Sequence, residues 1–324
     1  MAPVLDLKAL NTGFFTAAGE IPALRDVSFS LGRGEILGLV GESGSGKSLT
    51  GFSITRLIAA PGRVTGGEVL LHGQDLLRLG PEAMRRVRGA KVAMIFQDPM
   101  MTLNPVLRIG TQIRDALLAH ERLGRAEVRA RAIAALDQVG IPSPEARLKA
   151  YPHQLSGGMR QRVAIAIALL HAPDLVIADE PTTALDVTIQ GQILALVQRL
   201  CRERGTALIW ISHDLSVVAG LADRIAVMYA GRIVEIGAVD DLLDDPAHPY
   251  TQGLIASVPT PGRRQARLAQ IPGRMPALTD LPPGCAFAPR CPRAQAACEA
   301  MPAMTPAGEG RMARCLYPLT GGAA

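Results

Sequence analysis

The chain has 324 residues, close to half of them apolar, with 34 basic against 29 acidic side chains and a net charge of +5. That length allows more than one domain and fewer than three, and a charged fraction of 19% excludes a disordered chain. The mild basic excess is read as a solvated, arginine-biased surface and not as a nucleic-acid footprint.

Short strands are expected first, at Val4–Leu10, Leu24–Leu31 and Glu35–Val40, with glycine-rich turns between them. A helix follows over Gly46–Ala60, stopped by Pro61-Gly62, and then a strand between glycines, "GGEVLLHG". "KVAMIFQ" is apolar without alternation, the pattern of a strand covered on both faces. From about 105 to 172 the period becomes helical: Ile109–His120, Arg125–Gly140 and Ser156–Pro173. The longest apolar run, "VAIAIALL", lies here and is far short of the ~20 residues that a bilayer span needs. Then come a buried strand, "DLVIADEP", a helix over Thr188–Gly205, a strand "TALIWISHD" and a hairpin turned at Ala230-Gly231. Strands alternating with helices predict a largely parallel α/β sheet. Beyond about 245 prolines multiply, and a loop-rich segment stapled by its cysteines is expected. The N-terminus lacks a basic head before a long apolar core, so a cytosolic location is the default expectation. The basic clusters Arg85, Arg86, Arg88, Lys91 and Arg263, Arg264, Arg267 read as solvated faces.

"GESGSGKS" fits G-x-x-x-x-G-K-[ST] with Gly41, Gly46, Lys47 and Ser48, after a strand and at a helix start. Several backbone N–H groups must approach phosphate oxygens together, and side chains beyond Cβ would block them. The intervening Glu42, Ser43, Gly44 and Ser45, and Leu49 just beyond, complete the candidate loop. The helix dipole favours the anion, Lys47 neutralises the β- and γ-phosphates, and Ser48 can ligate Mg²⁺. "LVIADE" delivers Asp179 and Glu180 to a strand end, two adjacent carboxylates that repel each other without a cation. Asp179 is then a Mg²⁺ ligand, and Glu180 the group that orients and polarises water. Ser156, Gly157 and Gly158 open another helix and offer a second anion-binding surface. Taken alone, His213 reads as a buried polar residue.

"LSGGMRQRVAIA" resembles the ABC-transporter signature. With "GESGSGKS", Gln97 of "IFQDP", "LVIADEP", "TALD" and "ISHD" it follows that family's order over roughly residues 5–260. The resemblance implies an α/β P-loop NTPase, an ABC-type ATPase with a RecA-like core, an antiparallel β subdomain and a helical subdomain. It places the ATPase domain at 1–245, the helical subdomain at about 105–172, and a C-terminal cysteine-containing extension at 246–324. It also implies head-to-tail dimerisation, each signature facing the ATP held by the other chain. Gln97 then senses Mg²⁺ and the attacking water, His213 contacts the γ-phosphate, Asp186 lies at the dimer interface, and Phe14 stacks on adenine, a role its neighbour Phe15 leaves open.

"IFQDPMMTLNPVLRIGTQI" and "DPAHPYTQGLIASVP" further resemble the ATP-binding subunits of oligopeptide and dipeptide importers, as does Met159 in the signature. The implied function is ATP hydrolysis driving peptide uptake, with nickel or glutathione import as the alternative and a soluble ABC ATPase acting on nucleic acid as a more distant one. The implied partners are a second ATPase subunit, favouring a heterodimer, two permeases and an extracytoplasmic binding protein, with no nucleic acid. The implied location is peripheral, on the cytoplasmic face of the inner membrane. Cys201 stands alone, whereas Cys285, Cys291, Cys298 and Cys315 are spaced C-x5-C, C-x6-C and C-x16-C. The spacing divides evenly between metal and free thiols. Resemblance to peptide-importer ATPases makes a structural [4Fe-4S] cluster the leading expectation and zinc the second.

Overall fold

A computed structural model describes residues 2–183, 185–258 and 270–319. In chain order β1 (Leu5–Thr16), β2 (Gly19–Leu31) and β3 (Ile36–Val40) precede α1 (Lys47–Thr55). Next come β4 (Gly62–Leu71), β5 (Gln74–Asp75), α2 (Pro81–Val87) and β6 (Val92–Ile95), then α3 (Ile109–Leu118), α4 (Arg125–Gln138), α5 (Pro144–Arg147) and α6 (Gly157–Ala168). β7 (Leu175–Asp179), α7 (Val187–Arg204), β8 (Ala207–Ser212), α8 (Leu215–Ala219), β9 (Arg224–Tyr229) and β10 (Arg232–Ala238) follow. The chain continues with α9 (Val239–Asp244), α10 (Pro249–Ser257), β11 (Thr305–Pro306) and β12 (Met312–Ala313). Among the described residues no helix is long and apolar enough to cross a membrane.

Two compact units emerge. One draws on residues 31–35 and 75–209, together with the first few residues of the chain. In it β6 and β7 pair in parallel, Val92 opposite Leu175 and Ile95 opposite Ala178. All of β7 is buried, which explains its unbroken apolar run before the terminal aspartate. α4 packs on α3, α5 and α6. Ile113 and Leu117 of α3, and Val128, Ala132 and Leu136 of α4, supply the buried stripes at helical spacing. α3 keeps the start expected for it and ends two residues sooner; α5 was not foreseen, because one helical turn carries no periodic signal.

The other unit draws on residues 6–30, 36–74 and those from 210 onward. β3 runs parallel to β9, and β9 turns into antiparallel β10. Ala230 and Gly231, at φ 46° and 78°, make the expected turn with two left-handed residues, whose twist suits a tight hairpin. α1 ends five residues before the expected stop, because Arg56 turns left-handed and its N–H caps Phe52 and Ser53 carbonyls. β1 runs to Thr16, beyond the expected Leu10. Back in the first unit, Arg85 of the first basic cluster pairs with Glu82 on an exposed face; Arg263, Arg264 and Arg267 lie outside the described residues.

The C-terminal segment corrects the reading of a cysteine-stapled loop. Its cysteines are free thiols. Buried arginines tie it down instead. Arg314 donates to Asp26 Oδ2 at 2.8 Å and to the Pro302 carbonyl at 3.1 Å. Arg311 donates to Asp245 Oδ2 at 2.9 Å. Charge-assisted hydrogen bonds of this kind are among the stronger ones in proteins. β12 adds to the edge of β10, with Glu235 opposite Ala313. α10 also escapes the proline argument, since Pro249 sits at its first turn, where no N–H partner is lost.

His248 caps α10: its Nδ1 accepts the Tyr250 N–H at 3.0 Å, so the ring is held neutral. Burial pushes its pKa down from 6.5 to about 3. The unfolded chain takes up this proton first, so the contribution to stability is complete above about pH 6.5 and drains away towards pH 3. Between pH 7.5 and 5.0 the parent should lose about 2 kcal/mol of unfolding free energy through this residue. Urea titrations of the parent and His248→Gln at both pH values check this; equal pH slopes would remove His248 as the cause.

Candidate nucleotide and catalytic site

In the second unit, β3 delivers the chain to Gly41 as its apolar run ends. Gly41 adopts φ 151°, and a Cβ there would lie 2.2 Å from the Met228 carbonyl oxygen, so this position is closed to any side chain. Gly46 adopts φ 107°, and a Cβ there would meet Leu24 Cδ2 at 2.8 Å. Ser43 and Gly44 are exposed at the crown of the loop, whereas Ser45 is buried and Ser48 and Leu49 are half-buried. Lys47, at the start of α1, is only 5% exposed. Its Nζ donates to the Gly41 and Glu42 carbonyls at 2.8 and 3.0 Å, which centres the cation within the turn. The loop therefore coils around a desolvated ammonium with its crown open to solvent, the arrangement of an anion cradle.

The first unit carries the carboxylates. β7 ends at Asp179, buried, followed by half-buried Glu180. Glu180 has φ 43°, a left-handed conformation that costs a non-glycine residue of order 1 kcal/mol and re-aims the side chain. Gln97 Nε2 donates to Glu180 Oε2 at 3.5 Å. Thr183 Oγ1 donates to the same oxygen at 3.0 Å and to the Glu180 carbonyl at 3.3 Å. Gln97 and Glu180, 83 positions apart, are thus brought together. Thr183 was missed as a holder of the carboxylate; its place three residues after Glu180 was the available signal.

The same unit brings the signature to the start of α7. Ser156 caps α6, accepting the Met159 N–H at 3.3 Å. A Cβ on Gly158 would lie 2.9 Å from Ile189, and one on Gly157 3.7 Å from Leu185. Asp186, between those two contacts in sequence, is exposed at the N-terminus of α7, and Val187 beside it is 85% exposed. The glycines thus let two helix starts approach closely while both keep an outward polar group.

In the second unit, His213 follows β8 and is exposed, so the reading of a buried polar histidine does not hold. Asp214 beside it caps α8 through the Ser216 N–H at 2.9 Å. Phe14 is half-buried, close enough to Gly62 that a Cβ there would meet its ring at 2.8 Å. Phe15 carries the Arg63 guanidinium over its face at 3.8 Å, so that face is already engaged.

The iron–sulfur expectation is overturned. Cys285, Cys291, Cys298 and Cys315 do line one cavity, with His248 and Phe287, but its volume is about 20 Å³. Among the described residues no group of three or more His, Cys, Asp or Glu side chains stands where it could hold a metal ion, which removes zinc as well. Burial pushes the Cys285, Cys291 and Cys315 thiols up.

Comparison with known proteins gives two family matches: ABC transporter over residues 24–183, and oligopeptide/dipeptide transporter, C-terminal region, over residues 234–298. The chain is 46% identical to the oligopeptide transport ATP-binding protein OppD of Escherichia coli, covering 98% of this chain and 94% of that one. It is 50% identical to the dipeptide transport ATP-binding protein DppD of Bacillus subtilis, over 92% and 90% of the two chains. Among solved structures it is similar to the dimeric bacterial ABC transporter cassette MJ0796, with TM-score 0.65 and 29% identity over 72% of this chain and 98% of that one. A post-hydrolysis dimer of the same cassette, bound to ADP and Pi, matches at 28% identity, TM-score 0.65 and the same coverage.

Proposed function

Since the chain belongs to the ABC transporter family, among the ATP-binding proteins of oligopeptide and dipeptide importers, we propose roles for its residues in ATP hydrolysis. It is the ATP-hydrolysing subunit that powers peptide uptake through permease partners and a substrate-binding protein. The phosphate turn coiled around buried Lys47 is the observation that carries this reading.

Gly41 to Leu49 cradle the phosphates, with Lys47 neutralising charge that builds on the β- and γ-oxygens. Ser48, Asp179 and Gln97 offer the oxygen donors that suit Mg²⁺, whose bound charge offsets that of the phosphates. Glu180 takes a proton from the attacking water as the bond to the γ-phosphorus forms and the bond to the ADP oxygen breaks. His213 stabilises the γ-phosphoryl group, and Phe14 stacks on adenine. Ser156, Gly157 and Gly158 face the nucleotide of a second subunit, with Asp186 beside them at that interface. The adjacent exposed helix starts and the dimeric state of the related cassette support this. Residues 1–245 form the ATPase domain, with 105–172 as its helical part, and 246–324 form an extension. A heterodimer with a related ATPase, on the cytoplasmic face of the inner membrane, completes the proposal.

The direct test is peptide uptake into proteoliposomes carrying the permeases and this chain. Uptake should require ATP and a binding protein loaded with peptide; uptake unchanged without this chain would end the reading. Gly157→Asp tests the second surface. A carboxylate there repels phosphate, so ATP-driven dimerisation on gel filtration should be lost while ATP binding by the monomer persists. A dimer unaffected by this change would detach the signature from nucleotide.

A further inference from the structure

Glu42 places a carboxylate inside a turn built to hold phosphate, one residue after Gly41. An uncompensated acid at this position would oppose a bound polyanion. The structure shows it compensated from a distant part of the chain. Arg290 Nη1 and Nη2 donate to Glu42 Oε2 and Oε1 at 2.9 and 3.0 Å, a two-pronged pair. The Arg290 side chain is only 6% exposed and that of Glu42 28%, so water screens the pair weakly. The main chain of Glu42 is engaged as well: its N–H donates to Tyr250 Oη at 2.8 Å, and its carbonyl accepts from Lys47 at 3.0 Å.

Arg290 is itself braced. Nε donates to the Pro272 carbonyl at 2.8 Å, and Nη1 also reaches Tyr229 Oη at 3.2 Å. Tyr229, Tyr250 and Phe287 form a ring cluster behind it, with centroids 4.7 to 5.3 Å apart. The strand of chain tied by Arg290 also crosses the turn: a Cβ on Gly44 would lie 3.1 Å from Met275 Cε. Three contacts from the C-terminal segment thus converge on the phosphate turn, at the amide and the carboxylate of Glu42 and at Gly44.

We propose that Arg290, assisted by Tyr250, is a positioning residue for ATP binding: it cancels the Glu42 charge and sets the turn for phosphate. The C-terminal extension thereby tunes nucleotide affinity without touching nucleotide. The proposal rests on the ATP reading above.

The test uses the full chain, with Mg-ATP affinity by calorimetry and steady-state ATPase kinetics. Arg290→Met should raise the ATP Kd and KM about tenfold and leave kcat at saturating ATP within about twofold. Arg290→Lys, which keeps the charge and loses the fork, should fall between parent and Met. The double variant Glu42→Gln/Arg290→Met should recover most of the lost affinity, because the carboxylate that needed cancelling is gone and no charge is left buried. A merely structural role predicts the reverse: lost kcat, a lower thermal midpoint and no recovery in the double variant. That result, or unchanged Kd in a folded Arg290→Met, overturns the proposal. A parent chain that binds no ATP would remove the nucleotide reading itself, and this one with it.

Discussion

Glu180→Gln slows ATP turnover by about 10²- to 10⁴-fold, the range that a positioned general base contributes, while ATP stays bound. The amide keeps the size of the side chain and can still accept from Thr183 and Gln97, which hold the carboxylate at 3.0 and 3.5 Å. What is lost is the capacity to take a proton from water. The left-handed backbone of Glu180 is untouched by the change, so folding should be unaffected. Trapped nucleotide should then accumulate in a closed dimer, read by filter retention of labelled ATP and by gel filtration. Thr183→Val should have a smaller effect, a few-fold in kcat, since it removes one hydrogen bond to the carboxylate and leaves the carboxylate itself in place. Turnover of the Gln variant close to the parent's would assign the base elsewhere.

Lys47→Ala weakens ATP binding by about two orders of magnitude, measured by calorimetry. Hydrogen bonds to a charged group contribute roughly 1.5–3 kcal/mol each, and each 1.4 kcal/mol is a factor of ten. The ammonium also holds the turn itself together through the Gly41 and Glu42 carbonyls. Its loss therefore removes both charge and shape. Lys47→Arg should not rescue binding, because the planar guanidinium does not fit a turn centred on a compact point charge. A Kd within threefold of the parent in either variant would contradict the phosphate assignment.

The glycine-rich turn around Lys47 was legible because its geometry is local. Backbone amides, glycine conformations and a lysine within eight residues need no distant partner, and Gly41 and Gly46 stand where positive φ requires glycine. The hairpin at Ala230-Gly231 was legible for the same reason. The C-terminal extension was misread where distant partners decide. Prolines argued against regular structure, yet α10 begins on Pro249 and β12 finds an edge on β10. Four cysteines argued for a metal, yet among the described residues no group of side chains stands where it could hold one.

By itself the sequence determined the α/β class, the glycine-rich turn around Lys47 and the place of two acids at a strand end, since each follows from short-range pattern and spacing. Only the tertiary structure decided that Gln97 and Thr183 meet Glu180, that Ser156 and Asp186 sit on neighbouring helix starts, and that Arg290 pairs with Glu42. Those pairings join residues up to 248 positions apart. A hydrogen bond or an ion pair is fixed by a few ångströms of space, and only packing of the whole chain sets that distance.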